Sequence, residues 1–207
     1  MTEVDLDALS PRDRYKLLTA VVVPRPVAWV TTVDGAGVVN AAPYSFFNLF
    51  GQDPALIVLG LERRADGEMK DTARNIRTGG EFIVTIATPG LGAAMVASAA
   101  AYPPGVSEAD ALNLATAASL KVAPPRLRDV PVAIECRQKI TLAFSAERDI
   151  VIGEAVALVA RDGLIDPARL HVDWNGDYPI ARLFADRYAR LEEIDRLAIP
   201  PAPDGPA

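Results

Sequence analysis

The sequence predicts a mainly β protein with helical insertions, its strands closed or half-closed into an antiparallel barrel. Runs rich in Val, Ile and Thr recur at 27–33, 38–42, 55–61, 81–87, 132–142 and 149–161, and these residue types favour a pleated, half-buried surface. Helical patterns separate only some of the runs, so the regular βα alternation of a doubly wound sheet is missing. The last two runs are long and consecutive, which makes a hairpin. Barrel closure removes the free edges that such strands would otherwise leave.

Each element has a local cause. Ser10 before Pro11 gives an N-cap with proline at the first helical position, opening a short helix over 11–21. The chain from Val21 to Asn48 then has β character, with DGAG (34–37) as a turn. Within it, NAAPYSFFN (40–48) is too apolar for a surface loop, yet carries Asn40, Tyr44, Ser45 and Asn48. Pro43 is expected to end regular pairing there. ALIVLGL (55–61) suits a strand buried on both faces.

EMKDTARNIRT predicts a helix over 68–78, with Asp71 or Thr72 as its cap and Gly79-Gly80 closing it. EFIVTIA (81–87) is another strand, and 89–101 an alanine-rich helix. A looser segment and the connector KVAPPRLRDVP lead into the hairpin. Its first strand sets Val132, Ile134, Cys136, Ile140 and Leu142 on one face against Glu135, Arg137, Lys139 and Thr141 on the other. Residues 180–194 predict an amphipathic, arginine-rich helix. The expected organisation is a leader and helix (1–22), one barrel domain (23–195) and a disordered tail (196–207).

Composition narrows the function. At 207 residues, half hydrophobic and 23% charged, the chain supports one globular core. A net charge of −6 supplies no basic stripe for nucleic acid. The single cysteine, Cys136, alternates in phase with apolar residues and is expected to be a small buried hydrophobe. One histidine, His171, excludes a multi-histidine metal site; a structural role suits it better than a Ser-His-Asp triad, because GxSxG is missing. The acidic N-terminus and the lack of an apolar run of about 18 residues predict a cytoplasmic protein, with no membrane partner.

Neither a Walker A pattern nor a GxGxxG after a strand is present. Chemistry with few acid–base residues is usually carried by a cofactor, and two segments have the character of a cradle. In TTVDGAGVVNAAPYSFFN, Thr31 and Thr32 point to opposite faces, so only one shares a face with Asn40 or Ser45. In MKDTARN, a helix start offers free N–H groups and a favourable dipole to an anion, with Lys70 and Arg74 adding charge and Asn75 one turn past Asp71. Spacing alone leaves phosphate capture and an ordinary capped helix equally open.

In combination, RPVAWVTTVDGAGVVNAAPYSFFN, DPALIVLGL and KDTARNIRTGGEFIVTI closely resemble the flavin reductase-like, FMN-binding split-barrel family. PPRLRDVPVAIECR, IVIGEAV and the ending Arg182, Leu183, Tyr188 extend the match over roughly residues 20–190. The resemblance implies a Greek-key split β-barrel and a homodimer with FMN near its interface. It also implies an FMN-dependent oxidoreductase of flavin reductase type, taking electrons from NADH or NADPH and passing them to free flavin, a small acceptor or a partner monooxygenase.

Carried over residue by residue, the resemblance sets Thr31, Thr32, Asn40, Ala41 and Ala42 near the flavin ring and ribityl chain. Ser45 and Asn48 would be polar flavin contacts, and Lys70, Asp71, Thr72 and Asn75 would take the phosphate. No catalytic side chain is assigned and no metal is implied. Arg25 matches the arginine of the family's PRP variant, with a surface arginine as the alternative. Tyr102 and Glu108 fall in a variable segment that faces either substrate or solvent. Asp149 stands where many members carry a histidine associated with nicotinamide binding. That departure favours a second reading, a non-catalytic FMN-binding electron carrier or redox sensor that docks a protein partner.

Overall fold

The computed structural model describes residues 1–64, 66–103 and 105–200. Its main sheet has seven strands: β1 (Ala28–Val33), β2 (Val39–Tyr44), β3 (Phe47–Gln52), β4 (Ala55–Glu62), β5 (Glu81–Ile86), β6 (Val132–Ala143) and β7 (Arg148–Ala160). All pairs are antiparallel, in the spatial order β2-β1-β5-β6-β7-β4-β3. The two outermost strands, β2 and β3, are consecutive in the chain and joined only by Ser45 and Phe46. Gly60 N–H of β4 bonds Phe46 O at 2.7 Å across that join. The sheet therefore curls until its edges meet at one seam, giving the split β-barrel that the sequence predicts.

Side chains from β1, β2, β4, β5, β6 and β7 fill the barrel interior, with Phe82, Ile57, Leu59 and Val84 among them. Helix α2 (Asp71–Gly79) closes one end by adding Ala73 and Ile76 to the same cluster. A second cluster packs on the outer face of β1, β5 and β6, where Trp29, Ile83 and Ala133 lie under Met95 of α3 (Gly92–Ala97) and Ala109 of α4 (Glu108–Ala111). Gly153 of β7 is needed because a Cβ there would come within 2.5 Å of the Phe82 ring. Cys136 is fully buried, as expected, and burial pushes its thiol up to about 12.

Helix α1 (Pro11–Val21) has the predicted cap, with Asp13 N–H donating to Ser10 Oγ at 3.1 Å. Helix α2 ends, as expected, at a left-handed Gly80 (φ 71°). Its N-cap, however, is Lys70, whose side chain makes no capping bond; Asp71 is drawn instead to Arg64 and Arg74.

Other expectations are corrected. Pro43 does not end pairing: it stays opposite Trp29, and the register continues to Tyr44 opposite Ala28. Strand β2 is an edge, where a missing N–H breaks no ladder. The alternation along β6 fails at a bulge, where Gln138 and Ile140 face the consecutive Gly153 and Ile152, leaving Ile140 47% exposed. On the same strand Glu135 is buried, because its carboxylate accepts the Leu120 and Lys121 N–H groups at 2.7 and 2.6 Å.

The 89–101 helix reduces to a 3-10 turn (Pro89–Leu91) and the short α3. It stops where the Ser98 hydroxyl donates back to Met95 O while accepting the Trp29 indole N–H. Residues 180–194 are not helical. Ala181–Arg182 and Tyr188–Ala189 join Arg25–Pro26 in a small sheet, and a left-handed Ala185 turns the chain back between them. His171 is exposed on a two-residue strand rather than built into the core. Residues 196–200 are exposed and irregular, and 201–207, the rest of the expected tail, lie outside the described residues. Among the described residues no helix is long and apolar enough to cross a membrane.

Candidate functional site

Beside the β2 edge, at the N-terminus of α2, lies a cleft of about 680 Å³. One wall is Asn40, Ala42, Pro43 and Tyr44 of β2; a second is Glu62, Arg63 and Arg64 at the exit of β4. The floor is Lys70, Asp71 and Thr72, and the third wall is formed by 98–102 together with Glu108.

Two buried side-chain bonds fix the helix start against the barrel. Asn40 Nδ2 donates to Thr72 Oγ1 at 2.7 Å, and Asn75 Nδ2 donates to Thr32 Oγ1 at 3.0 Å. The first intrahelical bond runs from Arg74 N–H to Lys70 O, so the N–H groups of Asp71, Thr72 and Ala73 have no partner within the helix. Because Thr72 Oγ accepts from Asn40, its own hydrogen is left to turn toward the neighbouring Tyr44 phenol or into the cleft.

Charges of both signs rim the floor. Lys70 Nζ lies 2.6 Å from Glu62, and Asp71 takes Arg64 at 3.0 Å and Arg74 at 2.5 Å. Partly exposed pairs of this kind add little stability. Asp149 differs: it is 1% exposed and held by Arg77 at 3.0 Å and Arg63 at 3.5 Å. Two guanidinium groups compensate its charge. Glu108 Oε2 accepts the Ala41 N–H at 2.9 Å; burial raises its carboxyl above the ordinary range, while that N–H pulls the other way. Burial likewise raises the Tyr44 phenol, keeping it protonated at neutral pH.

The residues singled out in the sequence do not all meet in one place. Asn40, Ala42, Lys70, Asp71 and Thr72 line the cleft, as do Tyr102 and Glu108. Thr32 and Asn75 sit behind the floor as one of its fastenings. Ala41 is fully buried, contributing its N–H to Glu108. Thr31 faces away and donates to Pro125 O at 2.8 Å. Ser45 and Asn48 lie past the seam and line an apolar groove outside the cleft, and Ser45 also borders a small chamber next to Tyr44.

Arg25 is not a surface arginine. It is 8% exposed and donates to the carbonyls of Thr19 (2.6 Å), Val22 (2.8 Å) and Leu183 (2.7 Å), with Nε 3.4 Å from Ser45 Oγ. Glu62, Arg63, Arg64 and 98–101 escaped the sequence reading. The abrupt charged run after ALIVLGL was the available signal for the first three.

A family model described as "Flavin reductase like domain" matches residues 20–182. An uncharacterized protein of Deinococcus radiodurans is 44% identical, covering 83% of this chain and 78% of its own. The 2-nitrobenzoate 2-nitroreductase NbaA of Pseudomonas fluorescens superposes with a TM-score of 0.87 at 34% identity, covering 96% of each chain. Nitrilotriacetate monooxygenase component B of Bacillus cereus gives 0.88 at 35%, covering 95% of this chain and 98% of that one. With its split barrel and this match over most of its length, the chain belongs to the flavin reductase-like family.

Proposed function

We propose that the cleft binds FMN and that the protein is an FMN-dependent oxidoreductase of flavin reductase type. The observation that carries this reading is that the N–H groups of Asp71 and Thr72, which have no partner within the helix, lie at the floor with the Thr72 hydroxyl and the Lys70 ammonium. That donor set suits a dianionic phosphate, and a cleft of about 680 Å³ falls in the size range of cofactor sites. Ala42 and Ala99–Ala101 supply small apolar walls that leave room for a planar ring. Bound flavin supplies hydride chemistry, taking and returning electron pairs. The chain itself binds and orients: Lys70 and Thr72 hold the phosphate, Asn40 aims the Thr72 hydroxyl, and Thr32 with Asn75 keeps the helix start in register.

NADH or NADPH is the proposed donor. The Bacillus cereus relative is by name a monooxygenase component, which supports a partner monooxygenase as one receiver of the electrons, beside free flavin or a small acceptor. Asp149 presents no free charge against a dinucleotide, since Arg63 and Arg77 compensate it. The same observation favours the second reading, an FMN-binding electron carrier or redox sensor, because a side chain tied into two ion pairs is withheld from a nicotinamide.

Anaerobic titration of the FMN-loaded protein separates the two. NADH or NADPH bleaching the flavin band near roughly 450 nm supports the oxidoreductase. Reduction by dithionite alone supports the carrier. A colourless protein without FMN affinity overturns both.

A homodimer completes the proposal. An apolar groove of about 570 Å³ runs between Leu18 of α1, Val22 just past its end, and Phe47, Phe50, Val58 and Ile150 of the barrel. Leu49 and Phe50 beside it are 66% and 68% exposed. Contiguous apolar surface of this kind is characteristic of a face buried between copies.

A further inference from the structure

A second chamber adjoins the cleft across Tyr44. Pro43, Tyr44, Glu62 and Ala99 line both the cleft and this chamber of about 190 Å³, whose remaining walls include Tyr15, Ser45, Phe46, Arg148, Arg182 and Tyr188. About six water volumes would fill that space. It has room for a single ring with one small substituent and none for a dinucleotide.

Charge and shape in the chamber point the same way. Arg148 and Arg182 face it, and Arg25 stands behind Ser45, Nε 3.4 Å from the hydroxyl. Among the described residues one carboxylate lines it, that of Glu62, and it is divided: Oε1 takes Lys70 at 2.6 Å, while Oε2 is 3.6 Å from Arg148. Positive charge is therefore in excess. Both arginines are braced by aromatic faces, with the Arg148 guanidinium 4.4 Å from the Phe46 centroid and that of Arg182 4.6 Å from Tyr188. Stacking holds a guanidinium in place while leaving edge N–H groups for a carboxylate. Arg182 spends N–H groups on Tyr188 and on Ala185 O, whereas the one ion-pair partner of Arg148 among the described residues is the distant Glu62 oxygen.

We infer that this chamber binds a small aromatic carboxylate, its ring against Phe46 and the tyrosines and its carboxylate on Arg148. As the substrate subsite of the cleft, this rests on the FMN reading; as a binding site, it stands on its own residues.

Calorimetric titration of the full chain with sodium benzoate, with and without FMN, tests it. Benzoate is expected to bind, with benzamide and cyclohexanecarboxylate each weaker by about tenfold or more. Arg148→Gln should weaken benzoate about tenfold without changing FMN affinity. Arg148→Lys should recover part of the loss, and Glu62→Gln, which removes the competing carboxylate, should strengthen binding. No benzoate binding up to roughly 10 mM overturns the inference, as does benzamide or cyclohexanecarboxylate binding equally well, or an Arg148→Gln variant that binds like the parent. FMN binding without benzoate binding removes the subsite and leaves the FMN reading. Benzoate binding without FMN binding does the reverse.

Discussion

Asn40 Nδ2 donates a 2.7 Å hydrogen bond to Thr72 Oγ1, tying the edge strand of the barrel to the first turn of α2. Asn75 and Thr32 repeat the tie one turn later, at 3.0 Å. All four residues are buried, so each bond replaces solvent that the groups cannot recover. The two bonds explain why an asparagine follows three residues after Thr72 without having to touch a ligand.

Removing one fastening should loosen the helix start. Asn75→Ala leaves the buried Thr32 hydroxyl without its donor, and a loss of about 1–3 kcal/mol is expected. Chemical denaturation measures it. A stability equal to that of the parent would show that the bond contributes nothing.

Arg25 ties its own segment to two others through carbonyls, the end of α1 with its cap at Thr19 and Val22, and Leu183 just past the 181–182 strand. Arg25→Ala should destabilise by about 2–5 kcal/mol, since charge-assisted bonds are lost at a buried position. Arg25→Lys should restore little, because an ammonium lacks the planar fork that reaches several acceptors. Thermal melts of both variants check this; full rescue by lysine contradicts the clamp.

Glu108 sets a pH dependence. Burial holds its folded-state value above the unfolded one, so the stability linked to its proton is fully present below about pH 4.3 and lost as pH rises through the folded value. The melting temperature of the native chain minus that of Glu108→Gln should therefore increase as pH falls from 7 toward about 4. A difference that is flat or falls over that range contradicts the reading.

Phe50, 68% exposed at the tip of the apolar groove, is the place to test association. Light scattering should give a dimer mass for the native chain and a monomer mass for Phe50→Asp, because burying an unpaired carboxylate opposes the contact. A native monomer sinks the dimer.

The barrel was legible because β-branched runs and turn residues sit where strands and turns form, and Ser10-Pro11 announces α1 without tertiary help. What the sequence did not show depends on position in the sheet. Pro43 breaks nothing only because β2 is an edge, a fact that no local pattern contains. The bulge near Lys139 resets the face pattern through a partner strand. The arginine-rich ending has helical periodicity, yet the pairing of 181–182 with 25–26 overrides it.

The site divides in the same way. Asn40 and the Lys70-Asp71-Thr72 start lay in recognisable stretches, and both line the cleft. Of the third wall, Tyr102 and Glu108 stood out in the variable segment, whereas 98–101 arrives from far along the chain and has no local signature. Thr31 and Thr32 were separable only as a pair pointing opposite ways; the partners Pro125 and Asn75 decide which faces the helix.

The central claim is that the floor of the cleft holds the phosphate of FMN. Its most direct test is the FMN dissociation constant, measured by fluorescence quenching, of the native chain against Lys70→Ala/Thr72→Ala. Losing a charged and a neutral donor should weaken FMN by roughly 30- to 1000-fold, with a smaller loss for riboflavin, which lacks the phosphate. FMN binding equally well to both proteins would contradict the account.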